Sequence, residues 1–343
     1  MSVTLVIVVA LLLGVIFVNG WTDAPNAIAT AVSTRVMSPS TAVKMAVVLN
    51  FLGALFMTLI NTKVAQTLST MVDFTKGNFT HSDILVVLAA SMFSIVIWAT
   101  AAWYFGIPTS ESHALIAGVT GGAIALGNFS AVNGGAWTKV LLGLVFSSVI
   151  GFGSGFVITR IVEFLFKRVR RTTTNKIFNV GQAVSAGMMA FMHGAQDGQK
   201  FMGVFLLGIY YYNTAWVAGS PETSFVIPFW LIVLCSLTMG IGTSVGGYKI
   251  IKAVGMDMVK LEKYQGFSAD FAASLCLLFA SLTGVPVSTT HMKTTAIMGV
   301  GASKRVSNVN WGVAKDMVAA WVLTFPGCGL IAFLMSKLFL RIF

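Results

Sequence analysis

Two aspartates, Asp23 and Asp197, stand in stretches that are otherwise small, amide-bearing or apolar: NGWTDAPN (residues 19–26) and HGAQDGQK (residues 193–200). Two hydroxyl clusters stand in similar surroundings: GIPTSESHAL (residues 106–115) and GVPVSTTHMK (residues 284–293). Each cluster holds a glycine and a proline and closes on a histidine. A charged side chain at the centre of a bilayer costs at least about 2.5–3.5 kcal/mol on insertion scales, so it demands a partner. An anion cannot partner a carboxylate, but a cation can, and a cation between carboxylate and anion couples the two. Asp23 and Asp197, with amide oxygens from Asn26 and Gln196, suit a hard cation such as Na⁺; a proton on the aspartate is the other option. Asn26, Gln196 and Gln199 can add oxygen ligands to the cation or donate N–H groups to an anion.

The hydroxyl clusters call for the opposite charge. Pro108 and Pro286 cannot continue a helix from the turn before them, so the chain breaks there and restarts at once. Ser110 or Ser112, and Ser288 or Thr289, then lie in the first turn of a new helix. That end leaves N–H groups unpaired and carries the positive end of the helix dipole. Hydroxyls and free N–H groups together make an anion site. Irregular backbone survives in lipid only where protein or a watery cavity satisfies it, so two such ends entering from opposite faces would surround one tetrahedral oxyanion. His113 and His291 divide between hydrogen-bonding the broken backbone and handling substrate or protons. Lys200 can neutralise Asp197 or attract the anion. Glu111, where the second cluster has Thr289, can carry a proton, cap the helix or bind a cation. Lys293 reads equally as a snorkelling surface lysine and a site residue, and Asn50 and Asp270 read as polar glue between helices.

The elements that must carry these residues are transmembrane helices. The chain has 343 residues, 56% hydrophobic and 10% charged, with a mean hydropathy of +0.86. Apolar runs near the roughly 20 residues that span a bilayer recur; the clearest are 3–18, 42–60, 84–105, 140–158, 225–241, 271–282 and 318–333. These are runs rather than alternations, which excludes a barrel. The first run lacks a basic start and a small-residue cleavage site, so it reads as a retained helix, not a signal peptide. Cys235, Cys276 and Cys328 are scattered in apolar sequence and show no metal or disulfide spacing. Glycines 151, 153 and 155 suit close helix packing within the chain.

The formal charge of +11 suggests nucleic acid only if its placement is ignored. Of the 22 Lys and Arg, fifteen fall in alternate loops on one side and five on the other, with Lys200 and Lys293 inside apolar stretches. The richer side is cytoplasmic by the positive-inside rule. That puts the termini outside, the loop KRVRRTTTNK (167–176) inside, and the chain in the cell membrane.

The same loop divides an internal repeat. Pro108, Ser110, Ser112 and His113 match Pro286, Ser288, Thr290 and His291 at an offset of 178, while Gly20 and Asp23 match Gly194 and Asp197 at 174. Two motif pairs at nearly equal offsets define a repeat, and the charge map turns the halves opposite ways up. The expected organisation is a first inverted repeat at 1–166, a basic linker at 167–176 and a second repeat at 177–343. Loop 211–224, which has no Lys or Arg, should then face outside. Inverted repeats with broken helices meeting at the midplane are an architecture of secondary transporters.

At these motifs the sequence closely resembles the inorganic phosphate transporter (PiT) family. NGWTDAPNAIATAVSTRVMSP resembles its first signature, HGAQDGQKFMGVF its second, and PTSESH and PVSTTH its two hairpin motifs; the likeness covers nearly the whole chain, in order. It implies about 12 helical segments with two re-entrant hairpins, a frequent homodimer, and cation-coupled uptake of phosphate without a cofactor. By matching position, Asp23, Asn26, Asp197 and Gln199 become cation or anion ligands, and Ser110, Ser112, Ser288, Thr289 and Thr290 the phosphate cradle. The residue before the second aspartate is usually Asn in this family and is Gln196 here, one methylene longer; the residue before the first varies and is Thr22. A sulfate permease of the same fold is the nearest alternative and a passive anion channel the next. An intramembrane enzyme is disfavoured, because the four histidines are far apart and no H-E-x-x-H pair occurs.

Overall fold

The computed structural model of the chain describes residues 3–72, 74, 79–127, 129–212 and 226–342. Loop 211–224 lies outside the described residues from 213 on. The first half forms α1 (Val3–Thr22), α2 (Pro25–Ser33), α3 (Pro39–Ile60), α4 (Lys63–Ser69), α5 (His81–Phe105), α6 (Glu111–Ala125) and α7 (Gly134–Phe166). The second forms α8 (Arg171–Tyr212), α9 (Phe229–Ser244), α10 (Tyr248–Lys252) with a π-helical turn (Ala253–Asp257), α11 (Lys263–Thr283), α12 (Thr289–Lys304) and α13 (Trp311–Ile342). Among the described residues six helices are long and apolar enough to cross a membrane, or seven if α9 and α10, bent by 70°, count as one span. The chain is an all-α polytopic membrane protein.

Packing between helices follows the repeat. α7 packs on α12 and α13 on α6; α3 packs on α8 and α9 on α1; α4 packs on α8 and α10 on α2. Exchanging the halves turns each pair into the other, while the α3–α9 contact maps onto itself. The halves differ in one connection. α1 and α2 are separated by a break at Asp23 and Ala24, whereas α8 runs unbroken for 42 residues through the matching Asp197. At about 1.5 Å per residue α8 is roughly twice the thickness of the hydrocarbon layer. It begins at Arg171, so residues 171–176 of the expected linker are its largely exposed first turns.

Both hairpins form where glycine and proline stand together. α5 ends on Gly106 and α11 on Gly284, each in the left-handed region with φ of 71° and 75°, which glycine enters without a Cβ penalty. The chain then passes Pro108 or Pro286 and restarts. Ser110 caps α6 and Ser288 caps α12 by accepting from the N–H of His113 and His291. With 15 and 16 residues, α6 and α12 reach about 22–24 Å, short of a roughly 30 Å hydrocarbon core. They are re-entrant elements whose capped tips meet inside the protein.

Close approach of α7 to α12 rests on small residues within one chain. A Cβ on Gly155 would collide with the backbone of Ala296, and one on Gly151 would stand 2.8 Å from the Met292 carbonyl, whereas Gly153 faces open space. Gly155→Leu is therefore expected to cost about 1–3 kcal/mol or more by overpacking, while Gly153→Leu stays near neutral. Thermal unfolding of the two variants in detergent checks this; equal losses would refute the packing assignment.

Candidate functional site

Asp23 sits at the α1–α2 break and Asp197 in the middle of α8, both about 98–99% buried. A carboxylate so placed needs donors, and the sequence supplies them locally. Asn26, in the first turn of α2, donates to Asp23 at 2.7 Å. Asn19, one turn before the break, donates across the repeat to Asp197 at 3.2 Å. The tip of α12 closes over the pair: the Thr289 hydroxyl lies 3.4 Å from Asp23 Oδ2 and 3.2 Å from Asp197 Oδ2. Thr290 donates to Asp23 Oδ1 and lies 3.3 Å from the Thr109 carbonyl in the other hairpin. The two tips and the two aspartates thus share one buried pocket.

Lys200 joins both tips to the acids. Its ammonium donates to Asp197 Oδ1 at 2.7 Å, to Ser112 Oγ of α6 at 2.7 Å and to the Val287 carbonyl ahead of α12 at 2.6 Å. Glu111 adds a third buried carboxylate, lying against the Thr22 hydroxyl with Oε2 unpartnered. Three carboxylates therefore face one lysine in a space shut off from water, and without further positive charge or protons that imbalance is costly. The carbonyl oxygens of Asn19, Asn26, Gln196 and Gln199 are also buried and unpartnered. Surplus negative charge with spare oxygen acceptors is a donor set for a hard cation.

Sequence reasoning passed over His193, which faces this pocket. Its Nε2 lies 3.4 Å from Asp197 Oδ2 and 3.9 Å from Asp23 Oδ2. One ligand atom each from Asp23, His193 and Asp197 lies within 4.8 Å of the others. A hydrogen-bond chain fixes which nitrogen points inward. Thr243 donates to the Met239 carbonyl at 2.9 Å and can accept from Asn50 Nδ2 at 3.5 Å. Asn50 Oδ1 then accepts from His193 Nδ1 at 2.8 Å. With its Nδ1 proton committed there, Nε2 faces the carboxylates either as a second N–H or as a lone pair that needs a cation between. Asn50, expected as packing glue, sets this orientation. The signal for His193 was present in the sequence: it stands four residues before Asp197, as Asn19 stands four before Asp23.

Other candidates are placed more loosely. Gln196 and Gln199 point their amide nitrogens at the carbonyls of Leu277 and Asn61, at 3.5 and 2.7 Å. His113 and His291 meet edge to face at 4.6 Å behind the tips. Their rings stack on Phe325 and Trp321 of α13, and Trp321 donates to the Pro108 carbonyl at 3.1 Å. These histidines pack the rear of the paired tips. Lys293 does not snorkel: it is fully buried in an ion pair with Asp270.

Two re-entrant helices with capped tips over a shared acidic pocket define a membrane carrier of the inverted-repeat class. The chain matches the family model of the Phosphate transporter family over residues 19–332 and belongs to that family, whose members are transporters and not enzymes. It is 40% identical over 311 residues to the "Probable low-affinity inorganic phosphate transporter" of Bacillus subtilis (strain 168), covering 90% of this chain and 89% of that one. It is 39% identical over 316 residues to the protein of the same name from Rhizobium meliloti (strain 1021), covering 92% and 90%. A solved structure described as "The sodium-dependent phosphate transporter" superposes with a TM-score of 0.88 at 22% identity over 100% of both chains, which establishes the shared fold.

Lys200→Met removes one partner of a buried ion pair and is expected to cost about 3–5 kcal/mol. Lys200→Arg keeps the charge and should cost less. A melting temperature for Lys200→Met equal to that of the wild type would show that the ammonium does not hold the tips to Asp197.

Proposed function

We propose that the chain imports inorganic phosphate together with a cation, Na⁺ or H⁺, by exposing one buried site to alternate faces of the membrane. The observation that carries this reading is the convergence of the two capped tips on the Asp23–Asp197 pocket. The amides of Glu111, Ser112, Thr289 and Thr290 lie in first turns and lack a carbonyl partner in their own helix. With the nearby hydroxyls they suit a tetrahedral oxyanion. The names of the Bacillus and Rhizobium relatives and of the solved neighbour point to the same substrate.

A hydroxyl carries one proton, and that gives the coupling its physical form. While Thr290 donates to Asp23 and Thr289 to either aspartate, neither can donate to phosphate. A cation held by Asp23, Asp197 and the free carbonyls of Asn19 and Asn26 takes over the neutralisation of the acids. The threonine protons are then free to turn to the anion, so each ion improves the site for the other, as linkage requires. Glu111, its second oxygen unpartnered, is the carboxyl best placed to carry a proton if H⁺ is the driver. The distribution of Lys and Arg supports a central basic segment in the cytoplasm and termini outside a plasma membrane.

Asp23→Asn and Asp197→Asn are expected to abolish cation-driven uptake while the protein still inserts. Labelled phosphate uptake into proteoliposomes under imposed Na⁺ or pH gradients measures this, and full transport by either variant would overturn the mechanism. Asn50→Leu frees His193 to turn and should weaken cation affinity by about 10–100-fold, the usual effect of losing an orienting partner. Excess sulfate in the same assay separates a phosphate carrier from a sulfate carrier, since only the latter loses uptake of its labelled substrate to sulfate.

A further inference from the structure

The halves match helix for helix, yet one buried polar cluster has no counterpart. Lys293, one turn beyond Thr290 on α12, pairs with Asp270 of α11. Its ammonium lies 3.0 Å from Thr30 Oγ1 and 3.4 Å from the Ala27 carbonyl, both on α2. Asp270 also accepts from the Thr30 hydroxyl at 2.7 Å and from Gln182 Nε2 of α8 at 2.8 Å. Gln182 Oε1 is buried and unpartnered. At the repeat offsets of 178 and 174, Lys293, Asp270, Thr30 and Gln182 correspond to Leu115, Met92, Val204 and Val8. All four of those are buried in one hydrophobic cluster.

The comparison between halves shows that this fold does not need a charge pair here to pack its helices. Replacing a buried ion pair by hydrophobic residues is often neutral or stabilising, so a pair kept within lipid suits some use other than cohesion. The surroundings of the ammonium indicate which. A carboxylate, a hydroxyl and a main-chain carbonyl around one charge are oxygen ligands of the kind a hard cation takes. Ala27, Thr30 and Lys293 stand on α2 and α12, the same helices that supply Asn26, Thr289 and Thr290 to the central pocket.

We propose that Lys293 is a tethered cation: its ammonium fills an alkali-cation site built from Asp270, Thr30 and the Ala27 carbonyl, with Gln182 holding Asp270 in place. The chain then carries one countercharge on itself, so one fewer mobile cation accompanies each anion than an oxygen set of this size would otherwise hold. That consequence rests on the cation-coupled reading above; the binding claim does not.

The test is equilibrium binding of radiolabelled Na⁺ to the purified full chain, with melting temperatures in NaCl and in choline chloride. Lys293→Met leaves the oxygen set intact and is expected to bind one more Na⁺ per chain than the wild type. Its melting temperature should rise in NaCl but not in choline chloride. The double variant Lys293→Leu/Asp270→Met copies the opposite half; it should fold and bind no extra Na⁺. Adding Asp23→Asn to Lys293→Met should preserve the extra site, so failure of the central pocket and failure of this proposal are told apart. No gain of Na⁺ by Lys293→Met overturns the proposal, and so does a Lys293→Met chain unfolded in both salts. A double variant that cannot fold would overturn its premise that apolar packing suffices at this position.

Discussion

Uncompensated negative charge in a water-free pocket is the constraint on which the rest of this structure depends. Asp23, Asp197 and Glu111 converge where the bilayer offers no solvation, and among the described residues Lys200 is the lysine that pairs with one of them, Asp197. Several elements near the pocket supply donors to those acids or orient a group that faces them. α1 brings Asn19, α2 brings Asn26, α12 brings its two threonines, and α3 orients His193 through Asn50. A region held together by donors aimed at carboxylates responds when a cation or proton changes their charge. That response is what a coupled carrier needs.

The helix breaks complete the same electrostatic scheme. A continuous helix across the membrane would bury all its N–H groups in its own hydrogen bonds. Breaking two helices at Gly-x-Pro turns N-terminal donors inward at the place where the acids lie. The broken ends are costly, and α13 limits the cost by covering their rear: Trp321 takes the Pro108 carbonyl, and its ring with that of Phe325 covers the two histidines. In the function proposed here, donors and acids at close quarters serve two ions of opposite sign, which neither set of residues could do by itself.

The repeat accounts for the economy of the architecture and also shows where the halves diverge. Matching helices pack on matching helices throughout, so the tips meet because two copies of one hairpin are placed about a common axis. The divergences are chemical. α1–α2 breaks where α8 does not, Glu111 stands where Thr289 does, and the Lys293–Asp270 cluster stands opposite an apolar one. A carrier with identical halves would treat its two faces alike. These differences give the two faces different chemistry.

The sequence by itself determined the membrane class, the duplicated hairpins and the paired aspartates, because hydrophobic runs, Gly-x-Pro breaks and intramembrane charge are local signals with few physical readings. It also marked α8 only through HGAQDGQK, since a helix so rich in amides and charge does not read as an apolar run. Tertiary structure alone decided which partners those groups take. Nothing local tells that Lys200 reaches Ser112 and Val287, that Asn50 turns His193, or that Lys293 is sealed against Asp270 and not at a lipid surface. The first three of those pairs are 88, 87 and 143 positions apart, and Lys293 meets Asp270 only because α11 and α12 fold back on each other as a hairpin. A buried charge announces in sequence that it needs a partner; only the folded chain selects which one.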